Sequence, residues 1–236
     1  MDLLSRLWHG AVAGLASGLL AGLFGFLLAE PVMDRAVRLE ADREARAGEH
    51  AVELFSRSTQ HAGFVVATAV TGLALGVIVG VVSGVLRTER SWRRSLQLAG
   101  GGFFGLSLVP FLRYPANPPG VGDAATIDQR TQLYLSCLVI GLVGVIAAAL
   151  VARNLALTTA PVRQLAVTGV LLASLGLTFV LPADPDALLV PAALLWQFRL
   201  LSLATLALLW GTLGAVLGML EQRASTSGQV RLPVHR

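Results

Sequence analysis

Six stretches without Asp, Glu or Arg divide the chain, at residues 7–29, 62–86, 95–112, 131–152, 164–183 and 200–220, and each is 18 to 25 residues long. About 20 apolar residues in a helix cover the roughly 30 Å of a bilayer's hydrocarbon. The pattern predicts an all-α, polytopic integral membrane protein with six transmembrane helices at those positions, in one domain over residues 1–221. Between the first two runs, residues 30–61 alternate acids with arginines as on an amphipathic helix. Residues 222–236 read as a flexible tail. The first run exceeds the about 7 to 15 apolar residues of a cleavable leader and has no small-x-small site before Glu30, so it is read as a retained helix.

Within the apolar runs the glycines are periodic. Gly10, Gly14, Gly18 and Gly22 repeat every four residues in helix 1, as do Gly72, Gly76, Gly80 and Gly84 in helix 2, with a shorter series at Gly211, Gly214 and Gly218 in helix 6. Four-residue spacing stacks them on one face, where two helices can approach closely and gain dispersion contacts. Either helices 1 and 2 form a tight hairpin through these faces, or one ridge receives a partner's helix, as in a homo-oligomer. Trp8, Trp92 and Trp196 fall at expected helix ends, where interfacial indoles belong, and Trp210 falls in mid-span.

Charge placement orients the helices. All 18 basic side chains are arginines. The side holding both termini carries ten of them, four in the short connection from Arg87 to Arg94, against the acids Asp2, Glu89 and Glu221, for a net +7. The other side carries eight arginines and eleven acids, for a net −3. Positive charge in short connections marks the cytoplasmic side, so both termini are placed in the cytoplasm. The outer face is then mildly acidic, which concentrates cations near it, although arginine exclusion from outer loops produces the same balance.

Composition removes other classes. Only 14% of residues are charged, against about 25% in soluble domains. No soluble stretch is long enough for a nucleic-acid-binding module despite the basic isoelectric point. The single cysteine, Cys137, allows neither a disulfide framework nor a CxxC clip. GxxxxGK[ST] and HExxH are both absent, and none of His9, His50, His61 and His235 lies in mid-span to serve a buried serine. The expectation is a membrane protein without enzymatic activity and without a permanently bound cofactor.

The polar residues left over gather at the outer ends of the spans. Odd helices run into proline and charge at Glu30-Pro31, at Pro110 through Pro115, and at Pro182 through Pro185. Even helices begin with arginine beside glutamine: Arg57 and Gln60, Arg130 and Gln132, Gln197 and Arg199. Three hairpin pseudo-repeats would set these six residues as a polar collar at the outer mouth, where repeat transporters hold their substrate paths; any helix crossing an interface also needs a polar start. Metal-ligand chemistry is available in Glu30, Asp34, Glu49, His50, Glu53 and His61, carboxylates and imidazoles of the kind that bind divalent transition ions. Glu49 and Glu53 are one helical turn apart, yet the surrounding arginines equally fit a solvated helix face. The proline-rich loop after Tyr114 is rigid and can aim Asn117 inward, or merely connect two helices.

Several of these strings resemble one family. Glu30 through Ala36, Ser56 through Gln60, the loop from Pro110 through Asp123 with Arg130 and Thr131 after it, and Leu194 through Leu200 are together similar to the CbtA family of predicted cobalt transporter subunits, from helix 1 to Glu221. The resemblance implies a multi-pass protein of the bacterial cytoplasmic membrane that admits Co2+ for cobalamin synthesis, beside a small one-helix, histidine-bearing partner of the CbtB type. Relatives are often histidine-rich in the first outer segment, whereas this chain has only His50 and His61 there. The expected function is a permease subunit for cobalt. The alternatives are a structural subunit whose glycine ridges hold a transporting partner, and a nickel transporter, because N/O ligands bind nickel more tightly.

Overall fold

The computed structural model describes residues 3–48, 56–86, 91–119, 121–122, 124–184, 186 and 190–229. Among them there are helices and connections and no strand. Six helices are long and apolar enough to cross a membrane: α1 (Leu3–Arg46), α2 (Arg57–Val85), α3 (Trp92–Arg113), α4 (Ile127–Asn154), α5 (Ala160–Thr178) and α6 (Ala192–Ser225). They coincide with the six apolar runs, and the chain is an all-helical membrane protein.

Local chemistry sets their ends. Ser56 is extended, and its hydroxyl accepts the N–H of Thr59 at 3.4 Å, so α2 opens at Arg57. Pro161 occupies the first turn of α5, where its missing N–H costs nothing. Gly48, with φ +73°, follows the last turn of the first helix in the left-handed conformation that glycine adopts without penalty.

Helix α1 does not stop at Glu30-Pro31, where proline and charge suggested an end: the charged residues 30–46 continue the same helix beyond the apolar run. A proline inside an α-helix removes one hydrogen bond and presses on the carbonyl four residues earlier. Here a π-helical turn, Gly25–Ala29, precedes it, and the N–H of Glu30 reaches back to the Gly25 carbonyl. The widened turn re-spaces the carbonyls that Pro31 would meet. In α3 the same device recurs: Phe104–Leu108 is π-helical, the Val109 N–H donates to the Phe104 carbonyl, and Pro110 follows. The last helix also runs past the expected tail boundary, remaining helical to Gln229.

The chain forms two compact units. The first contains Met1–Pro31, Val52–Gly100 and Ala204–Arg236; the second contains Val32–Ala51 and Gly101–Leu203. In the first unit α1 and α2 meet through their glycine faces. A Cβ built on Gly10 or Gly14 would overlap the carbonyl oxygens of Gly76 and Gly72, and one on Gly18 would stand 2.8 Å from the Ala69 Cα. Reciprocally, a Cβ on Gly72 would lie 2.6 Å from the Gly18 Cα, and one on Gly80 2.7 Å from the Arg6 carbonyl oxygen. Gly22 and Gly84 face side chains, those of Thr68 and Leu3. The tight hairpin is therefore the arrangement that forms. Near its other partner, Gly218 lies under the Trp92 ring and Gly214 under Ala99, while Gly211 faces open space. Trp210 is buried, whereas Trp8 and Trp196 are exposed.

In the second unit α4 packs on α3 through Gly141 against Gly105, and on α5 through Gly144 against Ser174. Arg113, at the end of α3, donates to the carbonyls of Thr178, Leu181 and Pro182 after the last turn of α5, and Tyr114 donates its hydroxyl to Pro182. These bonds tie the end of α3 to the last turn of α5 and the chain that leaves it. Beyond Pro31, Val32 and Ala36 of α1 pack on Leu194 and Phe198 of α6.

Because the α1–α2 contact is backbone against backbone, there is no side chain whose movement could relieve an added one. Gly14→Leu and Gly76→Leu are each expected to destabilise the purified protein by about 3 kcal/mol or more, whereas Gly169→Leu, at a position with no neighbour within 4 Å, leaves the thermal midpoint in detergent within a degree or two. Equal midpoints for all three variants would refute the close-packed interface.

Candidate metal centre

The first unit gathers polar side chains at the Glu30 end of the α1–α2 hairpin. Glu30 stands directly after the π turn, 9% exposed. Its Oε2 accepts from Arg57 Nη2 at 3.0 Å and lies 3.1 Å from His61 Nε2. Arg57 Nη2 is also 3.3 Å from that imidazole nitrogen, and its Nη1 donates to Gln60 Oε1. Phe26, one turn before Glu30, sets its ring edge-on to His61 at 5.9 Å between centroids.

Antiparallel packing explains the meeting. The register that matches Gly10 with Gly76 and Gly18 with Thr68 carries the far end of α1 onto the first turn of α2. Spacing within α2 then puts Arg57 and His61, four residues apart, on one face. Asp34 follows Glu30 by one turn on the same helix and belongs to the second unit. Within the first unit Glu30 and His61 bring a carboxylate and an imidazole together, donors that suit borderline first-row dications such as cobalt, nickel or zinc.

Other expected site residues are engaged elsewhere. In the second unit, Asn117 accepts at Oδ1 from Arg199 Nη2 at 2.8 Å, so the side chain expected to aim at an ion receives an arginine. Gln197 Oε1 accepts from Arg35 Nη2 at 3.0 Å. Arg130 Nε lies 3.0 Å from Asp186 Oδ2, while Thr126 donates to Asp186 Oδ1 at 2.8 Å. Gln132 is exposed. Of the collar set, Arg57 and Gln60 belong to the first unit and the other four to the second. Glu49, His50 and Glu53 lie outside the described residues, as do Arg87 and Arg90 of the short basic connection.

One polar pair escaped the sequence reading. At the opposite end of the first unit, His9 Nδ1 lies 3.2 Å from Glu221 Oε1, and Glu221 is 4% exposed. Beside them Arg6 donates to the Ser83 carbonyl at 3.1 Å, and a small cavity is lined by Arg6, Ser83, Arg94, Ser95, Leu98, Leu217 and Glu221. The available signal was His9 itself, an imidazole inside an otherwise apolar run; its partner, 212 residues away, gave none.

The comparisons add one positive finding. A family model described as a probable cobalt transporter subunit (CbtA) matches residues 5–222. No curated protein and no solved structure matches the chain.

Removing one partner of a buried hydrogen bond leaves the other unsatisfied, at about 1 to 3 kcal/mol. Glu221→Leu is expected to lower the thermal midpoint by several degrees, and Asp42→Asn, on an exposed turn of α1, to leave it unchanged. A Glu221→Leu protein as stable as wild type would show that the His9 contact holds nothing together.

Proposed function

Because the chain belongs to the CbtA family of probable cobalt transporter subunits, we propose that it is a permease subunit that admits Co2+ across the bacterial cytoplasmic membrane to supply cobalamin synthesis. The observation that carries this reading is the Glu30 carboxylate, at the end of an apolar span, within 3.1 Å of the His61 imidazole. Ionisable groups at a membrane helix end are costly unless paired or used, and this pair has ligand chemistry for a borderline dication. With the termini in the cytoplasm, as the arginine-rich connection favours, Glu30 and His61 stand on the outer side and act as the loading site.

From there the ion loses water to the carboxylate and enters between helices. The α1–α2 glycine interface offers no room for it, since the two backbones touch. Thr68 is also committed, its hydroxyl donating to the carbonyls of Phe64 and Val65. The route therefore follows another face of the hairpin. Nickel fits the same ligands, and competition between the two ions decides specificity.

A second reading is favoured by α5, whose apolar window is only 6% buried. In it the chain is an accessory subunit, and a small one-helix partner or a second copy covers exposed helix surface and carries the transport.

Both readings are separated by reconstitution. Liposomes with the purified chain and an internal metal-quenched dye are expected to take up Co2+, and Glu30→Gln or His61→Ala to slow the initial rate by roughly tenfold or more. Uptake unaffected by either substitution removes these residues from the path. Uptake that requires the co-reconstituted partner establishes the accessory role instead.

A further inference from the structure

We propose that Arg57 is a built-in cation that occupies the Glu30 centre until a divalent ion displaces it, so that it sets the affinity and the charge selectivity of loading. The inference rests on the metal-site reading above and concerns its regulation.

Three atoms make a closed triangle: Glu30 Oε2, His61 Nε2 and Arg57 Nη2, with edges of 3.1, 3.0 and 3.3 Å. The oxygen and the imidazole nitrogen are spaced much as they would be around one tetrahedral ion, whose bonds of about 2.1 Å put neighbouring ligand atoms about 3.4 Å apart. Arg57 Nη2 stands within hydrogen-bonding reach of both. An ion on the near side of the Glu30–His61 edge would overlap the guanidinium, and one on the far side would still place two positive charges within a few ångströms of it. Metal binding therefore requires Arg57 to move.

Two further features of the site fit this role. Arg57 opens α2, and a cation in the first turn opposes the helix dipole; helix stability does not call for arginine there. Gln60 lies one turn later and already accepts from the other terminal nitrogen, Arg57 Nη1. When the Glu30 contact breaks, the Gln60 contact can remain, so the released guanidinium keeps a partner and stays beside the site. A monovalent ion would exchange one positive charge for another and gain little, whereas a dication brings an extra charge to the Glu30 carboxylate. The arginine thus discriminates by charge before coordination geometry discriminates by element.

The test is Co2+ titration of the full-length protein in lipid nanodiscs, followed by calorimetry, with folding monitored by thermal midpoint. Arg57→Gln is expected to bind Co2+ about tenfold or more tighter than wild type, and Arg57→Lys, which keeps a cation, to stay nearer wild type. Glu30→Gln is expected to lose binding. If Arg57→Gln binds no tighter while Glu30→Gln abolishes binding, the gating role is overturned and the metal site stands. If Glu30→Gln binds as wild type does, both fall. Arg57→Ala keeps the proposal falsifiable should Arg57→Gln fail to fold: it too removes the guanidinium from the Glu30 carboxylate, Co2+ binding is expected to tighten to a similar degree, and unchanged or weaker binding in a folded Arg57→Ala protein overturns the role.

Discussion

The contact on which the first unit depends is the meeting of two glycine faces. In a bilayer no hydrophobic effect pulls helices together, so the attraction must come from dispersion at close range. Gly10, Gly14, Gly72 and Gly76 permit that range, with backbone atoms where side chains would normally stand. Since this interface has little freedom to slide, it acts as a ruler: the same antiparallel register brings Arg6 to the Ser83 carbonyl at one end and Glu30 to Arg57 at the other. The polar chemistry of this unit is thus positioned by its least polar surface.

Much of this was legible in advance, for a physical reason. Six spans follow from charge spacing, because ionised groups at the bilayer centre cost several kcal/mol, and the glycine hairpin follows from a period of four. Pro31 was misleading. Proline ends helices often enough that it looked like a boundary, yet Pro31, like Pro110 near the end of the third span, is preceded by a five-residue π turn ending two positions earlier. A π turn adds a residue to the helix without leaving a signature of its own in composition. The shared offset is an observed likeness between the first and third spans, and it bears on the local bend of those helices; it does not extend to α5, where none of the described turns is π-helical.

Partnerships were the other illegible part. Local spacing puts Arg57, Gln60 and His61 on one turn and a half of helix, but no spacing links His9 with Glu221 or Asn117 with Arg199. Those pairs exist because a sparsely charged chain in a low-dielectric setting has few ways to satisfy each arginine and carboxylate. The arginines that begin the even helices show this. Arg57 finds Glu30, Arg130 finds Asp186, and Arg199 finds Asn117. Sequence identified the donors as a set and assigned Glu30 and Asn117 to an ion; the fold gives both of them to arginines.

That competition bears on how a transport site should be built. A carboxylate beside an imidazole, left alone, attracts a first-row dication, and tight holding is a defect in a permease, because an ion that cannot leave cannot be delivered. Weakening the site by deleting a ligand would sacrifice selectivity, since fewer ligands define less of the coordination sphere. Placing a guanidinium against the same oxygen weakens it differently. The ligands stay complete, while the free-energy cost of displacing Arg57 is subtracted from every binding event and returned when the ion moves on and the arginine closes again. Such an arrangement also leaves the unloaded site nearly neutral, which matters at the end of a membrane span, where an unbalanced carboxylate would be drawn toward water or protonated.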